Sequence, residues 1–116
     1  TTVYDMYLIF QAALQEEKFV SVISSQSHTA AYTNSAGEPV SKDWLNTNKY
    51  LNGEVETPEG IQVLGGKTGT TNDAGYCLVL YSKNSRDVPY ISIVYKSDSR
   101  ENLYHEMTEL LIESAK

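Results

Sequence analysis

The sequence predicts an α+β fold in which a three-stranded antiparallel sheet packs between N-terminal and C-terminal helices. Apolar residues recur at three- and four-residue steps near both ends of the chain, as they do along one face of a helix. Three apolar runs follow one another in the second half, and the links between them suit antiparallel neighbours. With 116 residues, of which 41% are hydrophobic, the chain is expected to form one domain, residues 1–116, around one core.

The first part of the chain predicts helices. Thr2 and Asp5 form a helix-start signal, and the apolar stripe after them predicts a helix to about Lys18. Residues 19–24 fit either a strand or a short second helix, because β-branched side chains favour the strand. We expect the helix.

A polar hairpin is predicted next. The turn-forming cluster at residues 34–39 separates two candidate strands, at 29–33 and 40–45. Trp44 is expected to pack the hairpin against the body of the protein, because a buried tryptophan contributes a large apolar area.

The second half predicts the sheet and a closing helix. Strands are expected from Gly60 to the glycine-rich segment that begins at Gly65, at 74–83 and at 90–95. The middle strand is apolar on both faces, so it should be central and covered on both sides. Asp98 and Glu101 predict the start of the closing helix, whose apolar stripe comprises Leu103, Met107, Leu110 and Leu111.

Composition argues against several classes of partner. Fifteen acidic residues against nine basic ones give a net charge of −6 with no basic cluster, which argues against nucleic acid or an anionic membrane. Cys77 is the only cysteine, and its apolar strand predicts a small buried thiol. His28 and His105 have no second ligand at a suitable spacing, so neither a metal nor another cofactor is expected.

Residues 65–71, Gly-Gly-Lys-Thr-Gly-Thr-Thr, form the one segment whose residue types point to chemistry rather than packing. Lys67 stands between glycines and three hydroxyls, a combination that suits an oxyanion or a carboxylate. A phosphate-binding loop of the GxxxxGK[ST] type would need a glycine where Ile61 stands and a helix afterwards. Residues 72–75 instead predict a turn into another strand, which argues against nucleotide binding.

Lys67-Thr68-Gly69 matches KTG, the third motif of the penicillin-recognising serine hydrolases. Three further segments resemble, in the same order, the C-terminal half of D-alanyl-D-alanine carboxypeptidases: residues 3–10, 46–51 and 77–82. The resemblance runs over nearly the whole chain and favours the helix at 19–24. It implies a part of the β-lactamase/transpeptidase-like fold.

The sequence also departs from this family. No serine has a lysine three residues after it, so the nucleophile motif SxxK is missing, and look-alikes of the middle motif at 32–34, 50–52 and 82–84 carry little weight. The chain is therefore expected to be the C-terminal part of a catalytic domain, without its nucleophile helix and upstream strands. A start at Thr1 suits a processed or excised chain, and the outer edge of the strand at 90–95 should be unpaired.

The resemblance implies a reaction in which a serine attacks the bond between two D-alanines of a peptidoglycan stem peptide, forming an acyl-enzyme that water releases. Lys67 would be catalytic, close to the proton path of the nucleophile and to the terminal carboxylate of the substrate. The hydroxyls of Thr68 and Thr70 would hold that carboxylate, and Gly69 would admit the substrate backbone as an added strand. The amide of Thr70 would be one of two oxyanion donors.

Two functional expectations follow. By resemblance, the complete protein would act in the bacterial cell envelope outside the cytoplasm and bind β-lactams, whereas this chain alone should be inactive. The alternative is a self-standing interaction module that pairs through its exposed strand edge with its own copy or with the missing N-terminal part.

Overall fold

The structure, a computed structural model, describes all residues from Thr1 to Lys116. The chain forms four helices and five strands. In chain order they are α1 (Val3–Ala13), α2 (Glu17–Ser24), β1 (Ser27–Thr33), β2 (Pro39–Leu45), α3 (Lys49–Asn52), β3 (Ile61–Thr71), β4 (Gly75–Asn84), β5 (Pro89–Ser97) and α4 (Arg100–Ala115). None of the helices is both long and apolar enough to cross a membrane.

The predicted α+β class is confirmed. The main sheet has the order β3-β4-β5 with both pairs antiparallel, and β1 and β2 form a separate antiparallel hairpin. Because β4 is central, β3 and β5 each have one edge that no strand of this chain pairs. The predicted unpaired edge of β5 is therefore confirmed, and β3 has a free edge as well.

Helices cover both faces of β4, as its apolar pattern predicts. On one face Leu78 and Leu80 are buried with Tyr50 of α3 and with α4 residues that include Met107 and Leu111. On the other face Val79 is buried against Phe10 of α1 and Ile23 of α2. This alternation is the period of two expected of a strand that lies between two helical layers.

The first helix ends earlier than predicted. Instead of reaching Lys18, α1 ends at Ala13, where the amides of Gln15 and Glu16 bond to carbonyls only three residues back, at 3.2 and 3.0 Å. The tight turn starts α2 at Glu17, so the helix expected at 19–24 is confirmed and begins two residues sooner. Its Phe19 packs edge-on against Phe10, with ring centroids 5.5 Å apart.

The hairpin is confirmed, but the role expected of Trp44 is wrong. Trp44 is 51% exposed and packs beside the ammonium of Lys42, which lies 5.9 Å from its ring centroid. Asn46 ties the base of the hairpin to the body instead, because its side-chain amide donates to the Ser25 carbonyl at 2.8 Å. By bonding to a backbone carbonyl, the side-chain amide of Asn46 holds the exposed hairpin in place without burying apolar area.

The closing helix is confirmed with two corrections. Ser99, not Asp98, is the N-cap, and its hydroxyl accepts the Asn102 amide at 3.0 Å, whereas Asp98 binds the Asn102 side chain at 2.6 Å. Leu110, which the sequence predicts on the buried stripe, is 42% exposed, whereas Tyr104, which was not predicted there, is buried. Successive residues of a helix are rotated by about 100°, so Leu110 points away from the sheet while the next residue, Leu111, points towards it.

Glycines at the start of the motif let β3 approach its neighbours closely. A side chain at Gly65 would lie 2.7 Å from the Ile23 side chain, and one at Gly66 would clash with the Val79 carbonyl. A side chain at Gly69 would meet nothing within 4 Å. Gly65 and Gly66 therefore serve packing, while Gly69 faces open space.

We expect neighbouring leucines of α4 to differ in their contribution to stability. Leu111 is fully buried, so Leu111→Ala should lower the free energy of unfolding by about 2–5 kcal/mol, the cost of a core cavity. Leu110→Ala, the control on the same helix, should cost about 0.5 kcal/mol. Urea unfolding of both variants measures the difference, and equal losses would contradict the helix orientation described above.

Gly66→Ala and Gly69→Ala should also separate. The first inserts a methyl group against the Val79 carbonyl and should cost about 1–3 kcal/mol, as overpacking does. The second should leave stability within about 0.5 kcal/mol of the parent, because the space beside Gly69 is open. Thermal unfolding followed by circular dichroism compares them, and a large loss for Gly69→Ala would show that this position is packed.

Candidate functional site

The motif residues lie on β3, the edge strand of the main sheet. Lys67 pairs with Val79 and Gly69 with Cys77, so these residues share the sheet face that α1 covers. Thr68 and Thr70 alternate to the other face, towards α3 and α4. The sequence predicts one cradle for these groups; the strand turns their side chains to opposite faces, although Thr68 and Thr70 also border the cleft that contains Lys67.

Lys67 lines an apolar cleft of about 740 Å³ between β3 and α1. The cleft is walled by side chains that are mostly apolar or aromatic: Met6, Phe10, Phe19, Cys77, Val79 and Tyr95. The ammonium of Lys67 donates to the carbonyl of Thr68 and has no carboxylate within 4.0 Å. An exposed cation without a protein counterion therefore lines this cleft.

Thr68 and Thr70 line a second, smaller pocket of about 290 Å³ on the opposite face. Its two cations are Lys49 and Arg100, and they differ in their surroundings. The Lys49 ammonium lies 3.7 Å from a Glu54 carboxylate oxygen, while Arg100 has no carboxylate within 4.0 Å. A guanidinium beside two hydroxyls is a combination that binds a carboxylate.

Thr47 connects this pocket to the segment before α3. Its hydroxyl oxygen lies 2.9 Å from that of Thr68, so one of the two donates to the other. Asn48, which follows, caps α3 by accepting the Tyr50 amide at 3.1 Å and is completely buried. The segment is thus packed against the motif strand rather than loosely attached to it.

Tyr104 of α4 bonds to the backbone of the same segment and of the first residue of α3, at residues 47 and 49. Its hydroxyl donates to the Thr47 carbonyl at 3.3 Å and accepts the Lys49 amide at 3.2 Å. Burial raises the pKa of Tyr104 above its ordinary value, and burial does the same to Tyr50. Both phenols therefore stay protonated and keep their donated bonds well into the alkaline range.

Cys77 is only half-buried, which corrects the expectation of a buried thiol. Its sulfur donates to the Ala74 carbonyl at 3.4 Å and lines the Lys67 cleft. Burial, with a smaller contribution from Cys77, raises the pKa of the neighbouring Tyr95. Both predicted surface histidines, His28 and His105, are exposed, and His105 lies 3.4 Å from Glu109.

Of the look-alikes of the middle motif, only the one at 50–52 reaches a pocket on the motif strand, because Asn52 lines the smaller pocket with Thr68 and Thr70. Residues 33 and 34 end β1 and begin the hairpin turn, and Asn52 uses its amide on the Asn46 carbonyl at 3.0 Å. Ser82 is completely buried on β4, paired with Val63 and Tyr90. None of them lines the cleft that contains Lys67.

Sequence reasoning missed Thr47, Lys49, Arg100 and Tyr104. Residues 46–51 were part of the family resemblance, but nothing in their types indicates that a residue about twenty positions before the motif touches Thr68. Arg100 directly follows a helix cap and looks like an ordinary surface residue. The only sequence signal for any of these residues is the family resemblance of residues 46–51. It indicates that the segment matters but gives no residue in it a role.

Solved structures provide similar folds. Two mutants of the Streptomyces K15 DD-transpeptidase match at 25% identity with TM-scores of 0.70 and 0.65, over 88% and 86% of this chain. The D-alanyl-D-alanine carboxypeptidase of Mycobacterium tuberculosis matches over 97% of the chain with a TM-score of 0.72, and at 21% identity this is a likeness of fold. The chain spans 36–39% of the length of these structures.

Sequence comparison provides the family. None of the curated proteins matches the chain. The sequence profile described as D-alanyl-D-alanine carboxypeptidase matches residues 1–99, which include α1, the motif strand and the whole three-stranded sheet. Because this profile matches most of the chain and the solved structures share its fold, the chain belongs to the D-alanyl-D-alanine carboxypeptidase family.

Proposed function

We propose that this chain is the C-terminal part of the catalytic domain of a serine-type D-alanyl-D-alanine carboxypeptidase. The complete enzyme trims peptidoglycan stem peptides through an acyl-enzyme and works in the bacterial cell envelope, outside the cytoplasm. One observation carries the proposal: a KTG segment lies on a free strand edge, with an unpaired lysine on one face and two hydroxyls beside an unpaired arginine on the other. The family match supports it.

The free edge of β3 receives the substrate peptide as an added strand. Only β4 pairs with β3, so the backbone donors and acceptors of its outer edge are available for main-chain hydrogen bonds. The open space beside Gly69 leaves room for the substrate backbone, which a larger residue would obstruct. In the proposed complex the scissile bond lies along residues 67–70.

The pocket under Thr68 and Thr70 holds the terminal carboxylate of the substrate. Two hydroxyls can donate to the carboxylate, and Arg100 can form a bidentate ion pair with it because Glu54, the carboxylate that lines this pocket, pairs with Lys49 and not with Arg100. Lys49 is less suited, since Glu54 already lies beside it. A carboxylate subsite explains why the enzyme removes a C-terminal residue rather than cleaving inside a chain.

Lys67 lies on the opposite face of β3 and acts towards the nucleophile. A serine hydroxyl, which this chain does not supply in an SxxK motif, attacks the carbonyl carbon between the two D-alanines. The serine proton passes to the leaving amine of the terminal D-alanine, and water then hydrolyses the ester. Lys67 stabilises the negative charge that develops along this path.

The backbone amide of Thr70 supplies one of two oxyanion donors, and the amide of the serine supplies the other. A single donor contributes ~3 kcal/mol to the stabilisation of the transition state. A strand that carries half of the oxyanion hole without a nucleophile does not turn over. The chain alone is therefore inactive, and β-lactams, which also acylate the serine, react only with the complete protein.

A second candidate function is supported by the edge of β5. No strand of this chain pairs with it, and it carries Ile91, Ile93 and Val94 without a central charge or proline. Such an edge pairs with another strand, either from a second copy of the chain or from the N-terminal part of the catalytic domain. Residues 1–116 would then fold as one domain that completes its sheet by association.

The main proposal is tested with a fluorescent penicillin. We expect no covalent label on residues 1–116 alone, and a label on the complete protein that carries an SxxK serine upstream. In the complete protein, Lys67→Ala should slow labelling by at least about 100-fold, the scale of one electrostatic catalytic group. Lys83→Ala is the matched control, because Lys83 is a β4 lysine paired with Asp87 at 3.1 Å and should label normally. Labelling of the isolated chain would refute the proposal.

The edge hypothesis is tested by hydrogen exchange and light scattering of residues 1–116 over a range of concentrations. Pairing should protect the outer amides of β5 and raise the mass as concentration increases. Ile93→Lys places a charge on the strand and should abolish both effects, while Val88→Lys, just before β5, should not. Because Ile93 also packs beside Val79, thermal unfolding must show that the variant is folded. A monomer with unprotected β5 amides would exclude the interaction module.

A further inference from the structure

We propose that Thr47 is a positioning residue of the carboxylate subsite, which orients the hydroxyl of Thr68 towards the terminal carboxylate of the substrate. The inference rests on the proposed function and adds a residue to which neither the sequence motif nor the family match gives a role. Thr47 lies twenty-one positions before Thr68, so only the fold brings the two hydroxyls together.

The contact between the two threonines is direct. Their hydroxyl oxygens are 2.9 Å apart, and both residues line the pocket that also contains Thr70 and Arg100. A threonine hydroxyl has one proton and two acceptor positions. When the Thr47 proton occupies one acceptor position of Thr68, the proton of Thr68 is left to donate to a group in the pocket.

A bound carboxylate selects this direction of donation. The carboxylate accepts only, so it is best satisfied when Thr68 donates to it and Thr47 donates to Thr68. Hydrogen bonds in such a chain polarise one another, and the bond to the charged end is the one that gains most. Without Thr47 the Thr68 hydroxyl can rotate freely and keeps a weaker bond to the substrate.

The backbone of Thr47 is held on both sides, which makes this orientation precise enough to matter. The Tyr104 hydroxyl donates to the Thr47 carbonyl at 3.3 Å. The Asn48 amide donates to the Asn46 side chain at 2.9 Å, and the Asn52 side chain donates to the Asn46 carbonyl at 3.0 Å. The side chain of Thr47 itself is exposed, so its removal leaves this support in place.

The opposing explanation is that Thr47 only bridges the α3 segment and β3. In that case its loss would loosen the motif strand and reduce every reaction of the enzyme equally. A role in orienting Thr68 predicts something different, namely that the loss depends on whether the substrate has a terminal carboxylate.

The experiment measures kcat and KM of the complete protein for a peptide ending in D-Ala-D-Ala and for the same peptide with a C-terminal amide. We expect Thr47→Val to lower kcat/KM for the acid about tenfold, the effect of one hydrogen bond to a charged group, and to leave the amide within about twofold. Thr47→Ser, which keeps the hydroxyl, should restore the preference for the acid.

Three controls make the result decisive. Arg100→Gln should reduce the acid preference further, because it removes the cation of the same pocket. Thr29→Val, on the hairpin, removes another exposed threonine hydroxyl, bonded to Asp43 at 2.6 Å, and should change neither substrate. Thr47→Ala provides a second variant, with thermal unfolding as the check that each protein is folded.

Each outcome is informative. An equal loss for acid and amide, or an unchanged acid preference in folded Thr47→Val and Thr47→Ala, would overturn the role of Thr47 while leaving the proposed function intact. A complete wild-type protein that neither cleaves the acid peptide nor reacts with penicillin would overturn the proposed function itself.

Discussion

The burial of β4 between two helical layers is the constraint on which the rest of the structure depends. Leu78 and Leu80 pack with α4, and Val79 packs with α1 and α2, so the most deeply buried apolar residues of the sheet lie on this strand. Its central place makes β3 an edge strand. The proposed function depends on this edge, because a strand paired on both sides could not accept a substrate backbone.

Strand alternation then divides the motif between two environments. Lys67 follows the parity of Val79 and joins the cleft beside α1, whereas Thr68 and Thr70 face the pocket below α3 and α4. A cation near a nucleophile and a site for a carboxylate have different requirements, since the first acts on charge that develops and the second binds charge already present. In the proposed function, the strand separates these two groups by one residue while it keeps both at the same edge.

The second environment is assembled from distant parts of the chain. Tyr104 of α4 holds the backbone of Thr47, and Thr47 reaches the hydroxyl of Thr68. The packing of α4 against the sheet is therefore connected to the geometry of the pocket through one phenol, whose pKa burial raises. Gly66 contributes on the same side, because only a glycine lets β3 approach Asn48 and the Val79 carbonyl so closely.

Local sequence determined much of this protein. The two-sided apolar pattern of residues 76–81 determined a central strand, the short links determined antiparallel pairing, and the spacing of Lys67, Thr68 and Gly69 pointed to the family. These features depend on neighbours a few residues apart. The errors also lie at local signals that distant packing overrode. The helix α1 ends at Ala13, and Phe19 of α2 packs on Phe10. Trp44 is exposed, and Asn46 rather than Trp44 ties the hairpin to the body. Only the tertiary structure decided that Thr47, Arg100 and Tyr104 meet in the pocket beside the motif strand, because contacts between residues twenty-one to fifty-seven positions apart leave no periodic trace in a single sequence.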